Sequence, residues 1–222
     1  MADRARPLNW PTALGLLVVL FGPPLLVVIP NRFLGGTLSL ATHAVLQLLL
    51  CAMAAFVVFL VVKVEGQPVG TIGIRRPDWM TPIVAVVLFL LAFVLQGMVT
   101  APLARRWGTA GVDAGVAAIR QWPAWFRVFV AVTGGIAEET LYRGYAVEKL
   151  IAVTGRTWLG AALATAVFGV AHIPAWGAAF ALTADLVAGI LLVLFYVWRR
   201  DLVANILAHT AGLFLGLFAI PL

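Results

Sequence analysis

The side chains best suited to chemistry are a carboxylate and two imidazoles, each inside a predicted apolar helix. Glu138 belongs to the stretch 134–145, which also contains Glu139 and Arg143, while His172 and His209 lie in two later apolar runs. A charged side chain at the bilayer centre costs roughly 2.5–3.5 kcal/mol on insertion scales, so such a cluster indicates a functional site. A carboxylate with two imidazoles can activate a water molecule or bind a divalent metal ion.

Helical spacing separates the two neighbouring glutamates. Consecutive residues of a helix point about 100° apart, so Glu138 and Glu139 cannot share a face. Glu139 and Arg143 are four residues apart with the acid first, the favourable orientation for a pair. We therefore predict a buried, structural ion pair between Glu139 and Arg143. Glu138, with Tyr142 one turn later, remains free to act as a base or a ligand.

The residues around each histidine are also spaced by one helical turn. Phe168 precedes His172 by four residues, and Asn205 precedes His209 by four. Pro174 predicts that the first of these helices ends close to His172. A single histidine in a helix is more often a packed residue than a ligand. Two histidines in spans, together with an intramembrane glutamate, favour a shared site.

Several other chemistries are disfavoured by composition. The only serine is Ser39, which has no partner pattern, and Asp185 is the only aspartate deep in a predicted span. The single cysteine, Cys51, excludes an intramolecular disulfide. No His-Glu-x-x-His motif occurs. We expect Asp185 to have a structural role. Its expected partner is Arg143, a histidine or the region of Thr183.

The elements that position these groups are those of an integral membrane protein. Hydrophobic residues make up 63% of the 222 residues and charged residues 11%, against about 25% charged in soluble domains. The net charge of +6 is scattered over short connectors. It therefore predicts topology signals and lipid contacts, and no nucleic-acid partner.

The predicted fold is an all-α, polytopic membrane helix bundle with the polar site inside it. The chain 1–222 is expected to form a single transmembrane domain, with its motifs in the core 123–218. About seven spans are predicted from apolar runs. They are Pro11–Ile29, Leu40–Val62, Pro82–Ala101, Trp125–Val153, Trp158–Ile173, Gly177–Trp198 and Leu202–Ile220.

The basic residues of the connectors predict a cytoplasmic N-terminus. The membrane is expected to be a cell membrane of the bacterial type. The expected cytoplasmic residues are Arg4, Arg6, Lys63, Arg75, Arg76, Lys149, Arg156, Arg199 and Arg200. The expected opposite side has Arg32, Arg105, Arg106 and Arg120. A short interfacial helix is expected at 110–119, within the connector 105–122. If this connector re-enters the membrane, the number of spans changes by one.

The motifs resemble a known family. Glu-Glu-x-x-x-Arg at 138–143, Phe-x-x-x-His at 168–172 and the late His209 are similar to the CPBP family of intramembrane proteases. That family includes the CAAX prenyl proteases of type II (Rce1-like) and bacteriocin-processing proteins. The resemblance implies hydrolysis of a peptide bond in a membrane-associated substrate, including prenylated or lipid-anchored ones. It further implies that Glu138 and His172 activate water, while His209 stabilises the oxyanion.

One position departs from that family, and several alternatives stay open. A polar residue usually follows the last histidine by four positions, but here Leu213 is found, and Asn205 is the candidate replacement. No cofactor is required, yet Glu138, His172 and His209 would also suit zinc with one position open for water. A catalytically silent membrane binding or immunity scaffold is the main alternative function. A proton-coupled transporter is the third, although no inverted repeat is seen.

Overall fold

The structure, a computed structural model, describes residues 7–34, 38–100, 102–103, 106 and 117–218. Across these residues the regular secondary structure is helical, without a strand, which confirms the predicted all-α class. The connector predicted at 105–122 falls largely outside the described residues, as does its expected interfacial helix.

Seven helical segments form the bundle, and we number them in chain order. The α-helical bounds of four of them are Trp10–Phe33 for α1, Leu40–Phe59 for α2, Met80–Leu95 for α3 and Thr157–Trp176 for α5. The segment α4 joins Ala124–Glu138, the π-helical Glu139–Val147 and Glu148–Thr154. The segment α6 joins Ala178–Phe180, the π-helical Ala181–Asp185 and Leu186–Arg199, and α7 is Leu202–Phe218.

Five of these segments are long and apolar enough to cross a membrane, within the part of the chain described. Their bounds by this measure are Trp10–Phe33, Leu40–Val64, Met80–Val99, Thr157–Trp176 and Ala181–Arg199. The predicted number of seven is therefore not confirmed. The segment α4 carries the acidic cluster, and α7 is short at 17 residues. The protein is nonetheless an integral membrane protein.

The most polar segment, α4, lies in the interior of the bundle. Its nine-residue π-helical turn is buried at every position, and it contacts α1, α2, α5, α6 and α7. Glycines allow this close packing: a Cβ at Gly135 would lie 2.2 Å from Thr210 Oγ1, and one at Gly144 would lie 3.0 Å from Ile72 O. The neighbouring helices thus shield the charges of α4 from lipid.

The helix of His172 ends two residues beyond Pro174. The sequence predicts an end near Pro174, and α5 continues through this residue to Trp176, one turn after His172. Proline removes only one backbone donor and is tolerated in membrane helices when neighbouring groups compensate. The chain turns instead at Gly177, whose φ of 81° is readily adopted by glycine.

Ion pairs gather several connectors at one end of the bundle. Lys149 pairs with Glu65, which also accepts a hydrogen bond from Thr12 near the start of α1. Arg75 pairs with Asp201, and Arg199 with Asp78. These basic residues therefore lie at the same end of the bundle as the start of α1. The sequence likewise predicts that they share one side of the membrane with the N-terminus. Which side of the membrane this end faces remains a prediction.

Candidate functional site

The first part of the site is a fully paired carboxylate, that of Glu139. Its Oε1 lies 2.7 Å from Arg143 Nη1, and the two side chains are 0% and 2% exposed. Asn205 Nδ2 lies 3.2 Å from the other oxygen, and His209 Nδ1 lies 2.8 Å from Oε1. Charge-assisted hydrogen bonds of this kind are what a buried carboxylate requires. Three partners from α4 and α7 therefore fix Glu139 within the bundle.

The second part is Glu138, which faces both histidines and lacks such partners. Its Oε2 lies 3.6 Å from His172 Nε2 and 3.9 Å from His209 Nε2. Both distances exceed ordinary hydrogen-bond lengths. The three side chains remain 20%, 17% and 14% exposed respectively, so the Glu138 carboxylate is accessible. The structure therefore brings Glu138, His172 and His209 together from three separate helices.

The outer nitrogens of the two imidazoles define their tautomers. His172 Nδ1 lies 2.7 Å from Phe168 O, and a carbonyl oxygen can only accept, so Nδ1 carries the proton. His209 Nδ1 in the same way donates to the Glu139 carboxylate. Each Nε2 is left facing Glu138, where it can accept a proton or hold a ligand. Orientation of an imidazole through its second nitrogen is the usual support for a reactive histidine.

The ring of Phe168 connects the parts of the site. Its centroid lies 4.4 Å from that of His172 and 6.4 Å from that of His209. The same ring packs edge-on against Tyr142 at 5.1 Å and receives the Arg143 guanidinium at 4.1 Å. The Phe168 ring of α5 therefore packs against side chains of both α4 and α7.

Asn205 has a different role from the expected one. Both hydrogens of its amide are used, since Nδ2 donates to Glu139 Oε2 and, at 2.8 Å, to Leu192 O. The side chain is 1% exposed and has no hydrogen left for an oxyanion. Asn205 therefore does not replace the polar residue missing at 213. Leu213 itself lies beside Gly134, which precedes Glu138 by one turn. A Cβ added at Gly134 would lie 3.5 Å from Leu213 Cδ1.

Sequence reasoning gave a packing or structural role to two residues that border the site. The hydroxyl of Tyr142 and the Oδ2 of Asp185 are buried and have no hydrogen-bond partner among the described residues. Asp185 interacts electrostatically with His172, Glu138 and His209. It precedes Gly189 by one turn, and Gly189 faces Phe168. The only sequence signal for Tyr142 was its spacing of four residues from Glu138.

A zinc ion is not supported by the present arrangement of side chains. The donor types of Glu138, His172 and His209 suit zinc. However, within the described ranges no three His, Cys, Asp or Glu side chains are grouped closely enough to hold a metal ion.

The bundle and its buried cluster define an integral membrane protein with a candidate hydrolytic site. Residues 120–214 match the family model described as type II CAAX prenyl endopeptidase Rce1-like. The match covers less than half of the chain but includes Glu138, His172 and His209, and it confirms the family resemblance. No match was found among curated proteins or solved structures.

Proposed function

We propose that the protein is an intramembrane endopeptidase in which Glu138 and His172 activate the hydrolytic water. The observation that carries this proposal is the convergence of His172 Nε2 and His209 Nε2 on Glu138 Oε2. Glu139, one residue away, is held by three donors, whereas Glu138 is accessible and faces the two imidazoles. An accessible base beside a fixed imidazole is the arrangement that water activation requires.

Hydrolysis would begin with a water molecule bound between Glu138 and His172. Glu138 takes one proton as the water oxygen attacks the carbonyl carbon of the substrate, and the carbonyl electrons move onto oxygen. The tetrahedral intermediate then collapses, the carbon–nitrogen bond breaks, and the amine takes up the proton held by Glu138. A positioned base of this kind contributes typically 10²–10⁴-fold.

His209 is proposed to stabilise the oxyanion from the opposite side of the site. Its Nδ1 donates to the Glu139 carboxylate at 2.8 Å, which fixes the orientation of the ring, and the proposed role needs the imidazole in its doubly protonated form. In that state Nε2 carries a hydrogen directed toward the same space as Glu138. Removal of one such donor costs about 2.7–4 kcal/mol of transition-state stabilisation in a well-studied protease.

The proposed substrate is a membrane-associated peptide, with prenylated or lipid-anchored chains as the first class to test. The site lies inside a membrane bundle, so the scissile bond must be presented from the bilayer or its surface. The matched family is described as CAAX prenyl endopeptidases. A suitable probe is therefore a fluorogenic, S-prenylated peptide that ends in Cys-aliphatic-aliphatic-X.

The test compares wild type with Glu138→Gln on this probe, using purified protein in detergent or liposomes. We expect cleavage by wild type and a loss of at least 100-fold in kcat for Glu138→Gln, with the folded fraction unchanged. Equal rates for the two proteins would refute the role of Glu138. A chelator that abolishes wild-type cleavage, restored by Zn²⁺, would favour the metal-assisted alternative at Glu138, His172 and His209.

A catalytically silent membrane scaffold is the second candidate, and Leu213 is the observation that favours it. The apolar side chain stands next to Gly134, where the resemblance predicts a polar one. Under this alternative, cellular function would persist when Glu138 and His172 are both replaced. Loss of function by a folded, normally abundant double variant would reject it.

A further inference from the structure

The buried hydroxyl of Tyr142 is a hydrogen-bond donor with no acceptor. The residue is 1% exposed, and its hydroxyl has no partner among the described residues. A buried hydroxyl without a partner has lost its hydrogen bonds to water without replacement, which destabilises the folded state. Groups of this kind in native proteins call for an explanation, and a catalytic role is one of the recognised ones.

The position of Tyr142 directs it toward the reactive groups. Glu139 and Arg143, four residues apart in the same π-helical turn, are in contact at 2.7 Å. Glu138 and Tyr142 are also four residues apart, and each precedes a member of the Glu139–Arg143 pair by one position. They therefore share the adjacent face of the helix. Long helical side chains lean toward the N-terminal end, which directs Tyr142 toward Glu138.

The site also lacks one donor of the kind that Tyr142 can supply. Asn205 has used both of its amide hydrogens, and position 213 is a leucine. His209 is then the one oxyanion donor so far assigned. The ring of Tyr142 packs on Phe168, whose own ring contacts His172. Tyr142 therefore packs on the same ring that contacts His172.

We propose that the Tyr142 hydroxyl is a catalytic donor to the oxyanion, in place of the missing polar residue at 213. This inference rests on the proposed function. When the water oxygen bonds to the carbonyl carbon, Glu138 takes the water proton and negative charge develops on the carbonyl oxygen. Tyr142 keeps its proton and donates a hydrogen bond to that oxygen. The bond is released when the intermediate collapses and the amine departs with the proton from Glu138.

Two other buried atoms without partners fit this role less well. The Oδ2 of Asp185 is an acceptor when ionised, and it cannot stabilise an anion. Thr210 Oγ1 lies against the backbone of α4, since a Cβ at Gly135 would be 2.2 Å from it. Among the residues that the structure describes, Tyr142 is the one that combines an unpaired buried donor with a position on the face of Glu138.

The test is Tyr142→Phe, which removes one oxygen and leaves the ring in place. With the S-prenylated fluorogenic peptide, we expect kcat to fall about 100- to 1,000-fold, as for loss of an oxyanion donor. The KM should change less than threefold, because the hydrogen bond forms in the transition state. Thermal stability should be unchanged or higher, since no hydrogen bond of the folded protein is lost.

Tyr145→Phe is the matched control, because it removes the hydroxyl of a second buried tyrosine on the same helix. That hydroxyl donates to Pro11 O at 3.3 Å, away from the site. We expect a small decrease in stability and a kcat within threefold of wild type. A general effect of removing a tyrosine hydroxyl would instead lower kcat in both variants.

The outcomes distinguish this inference from the proposed function. Loss of kcat in Glu138→Gln with normal kcat in Tyr142→Phe would overturn the inference and leave the proposed function standing. A Tyr142→Phe variant that loses activity only in proportion to its folded fraction would overturn it as well. If wild type and Glu138→Gln are equal on the probe, the proposed function fails and this inference with it.

Discussion

Two adjacent faces of α4 carry adjacent glutamates with opposite surroundings. On one face, Glu139 is fully buried and bound by Arg143, Asn205 and His209. On the other, Glu138 is 20% exposed and lies more than 3.5 Å from its nearest imidazole nitrogens. A fully buried carboxylate held by three donors is stable but is not accessible to a substrate. The difference shows that burial alone does not identify the reactive acid, whereas unused hydrogen-bonding capacity does.

The largest effect on stability is expected for Arg143→Ala. The change leaves Glu139 charged and buried without its cation, which costs about 3–5 kcal/mol for pairs of this kind. It also removes the guanidinium from the Phe168 ring. Denaturation in detergent and the abundance of the protein in membranes measure the effect. Arg76→Ala, at an exposed position, serves as the control and should change stability by less than about 0.5 kcal/mol.

Asn205→Ala tests whether that residue belongs to the paired face or to the reactive one. Its removal leaves Glu139 Oε2 and Leu192 O without a donor, so we expect stability to fall by about 1–3 kcal/mol. The kcat of the folded fraction should fall less than tenfold. A loss of kcat above 100-fold at unchanged stability would return Asn205 to the role of oxyanion donor.

A third polar region lies at the end of the bundle where the connectors form ion pairs. It predicts how the stability of the protein depends on pH. Burial favours the neutral form of Asp201, but hydrogen bonds from Thr81, the Ala204 amide and Arg75 outweigh burial and hold its pKa below the ordinary value. A carboxyl whose folded pKa is depressed contributes stability above its unfolded pKa, about 3.9, and loses it as the pH falls through the folded pKa.

Asp201→Asn measures that contribution. We expect wild type to be more stable than the variant at pH 7, by about 1–3 kcal/mol for a charged hydrogen bond. The difference should shrink as the pH is lowered below about 4. Melting temperatures of both proteins at several pH values provide the measurement. A difference that stays constant with pH would show that the charge of Asp201 does not contribute.

Local spacing explains why part of the site was predictable. Contact between Glu139 and Arg143 needs only one helix, and the motifs at 138–143 and 168–172 are both local. The partners of Asn205 were not predictable, because they depend on the register of α7 against α4 and α6. The same applies to His209, whose two nitrogens face two different glutamates. The predicted number of spans depended on whether the polar segment α4 was counted as a membrane span. Hydropathy alone does not decide that assignment.

The most direct test of the account compares Glu138→Gln with Glu139→Gln in one preparation. Both variants replace a glutamate by its neutral isostere, at neighbouring positions of α4. We expect Glu138→Gln to be normally abundant and thermally stable but to lose cleavage of the S-prenylated peptide by at least 100-fold. Glu139→Gln should lose stability first, because Arg143 is left as an uncompensated buried charge. The same stability and the same residual activity in both variants would contradict the division of labour between the two faces.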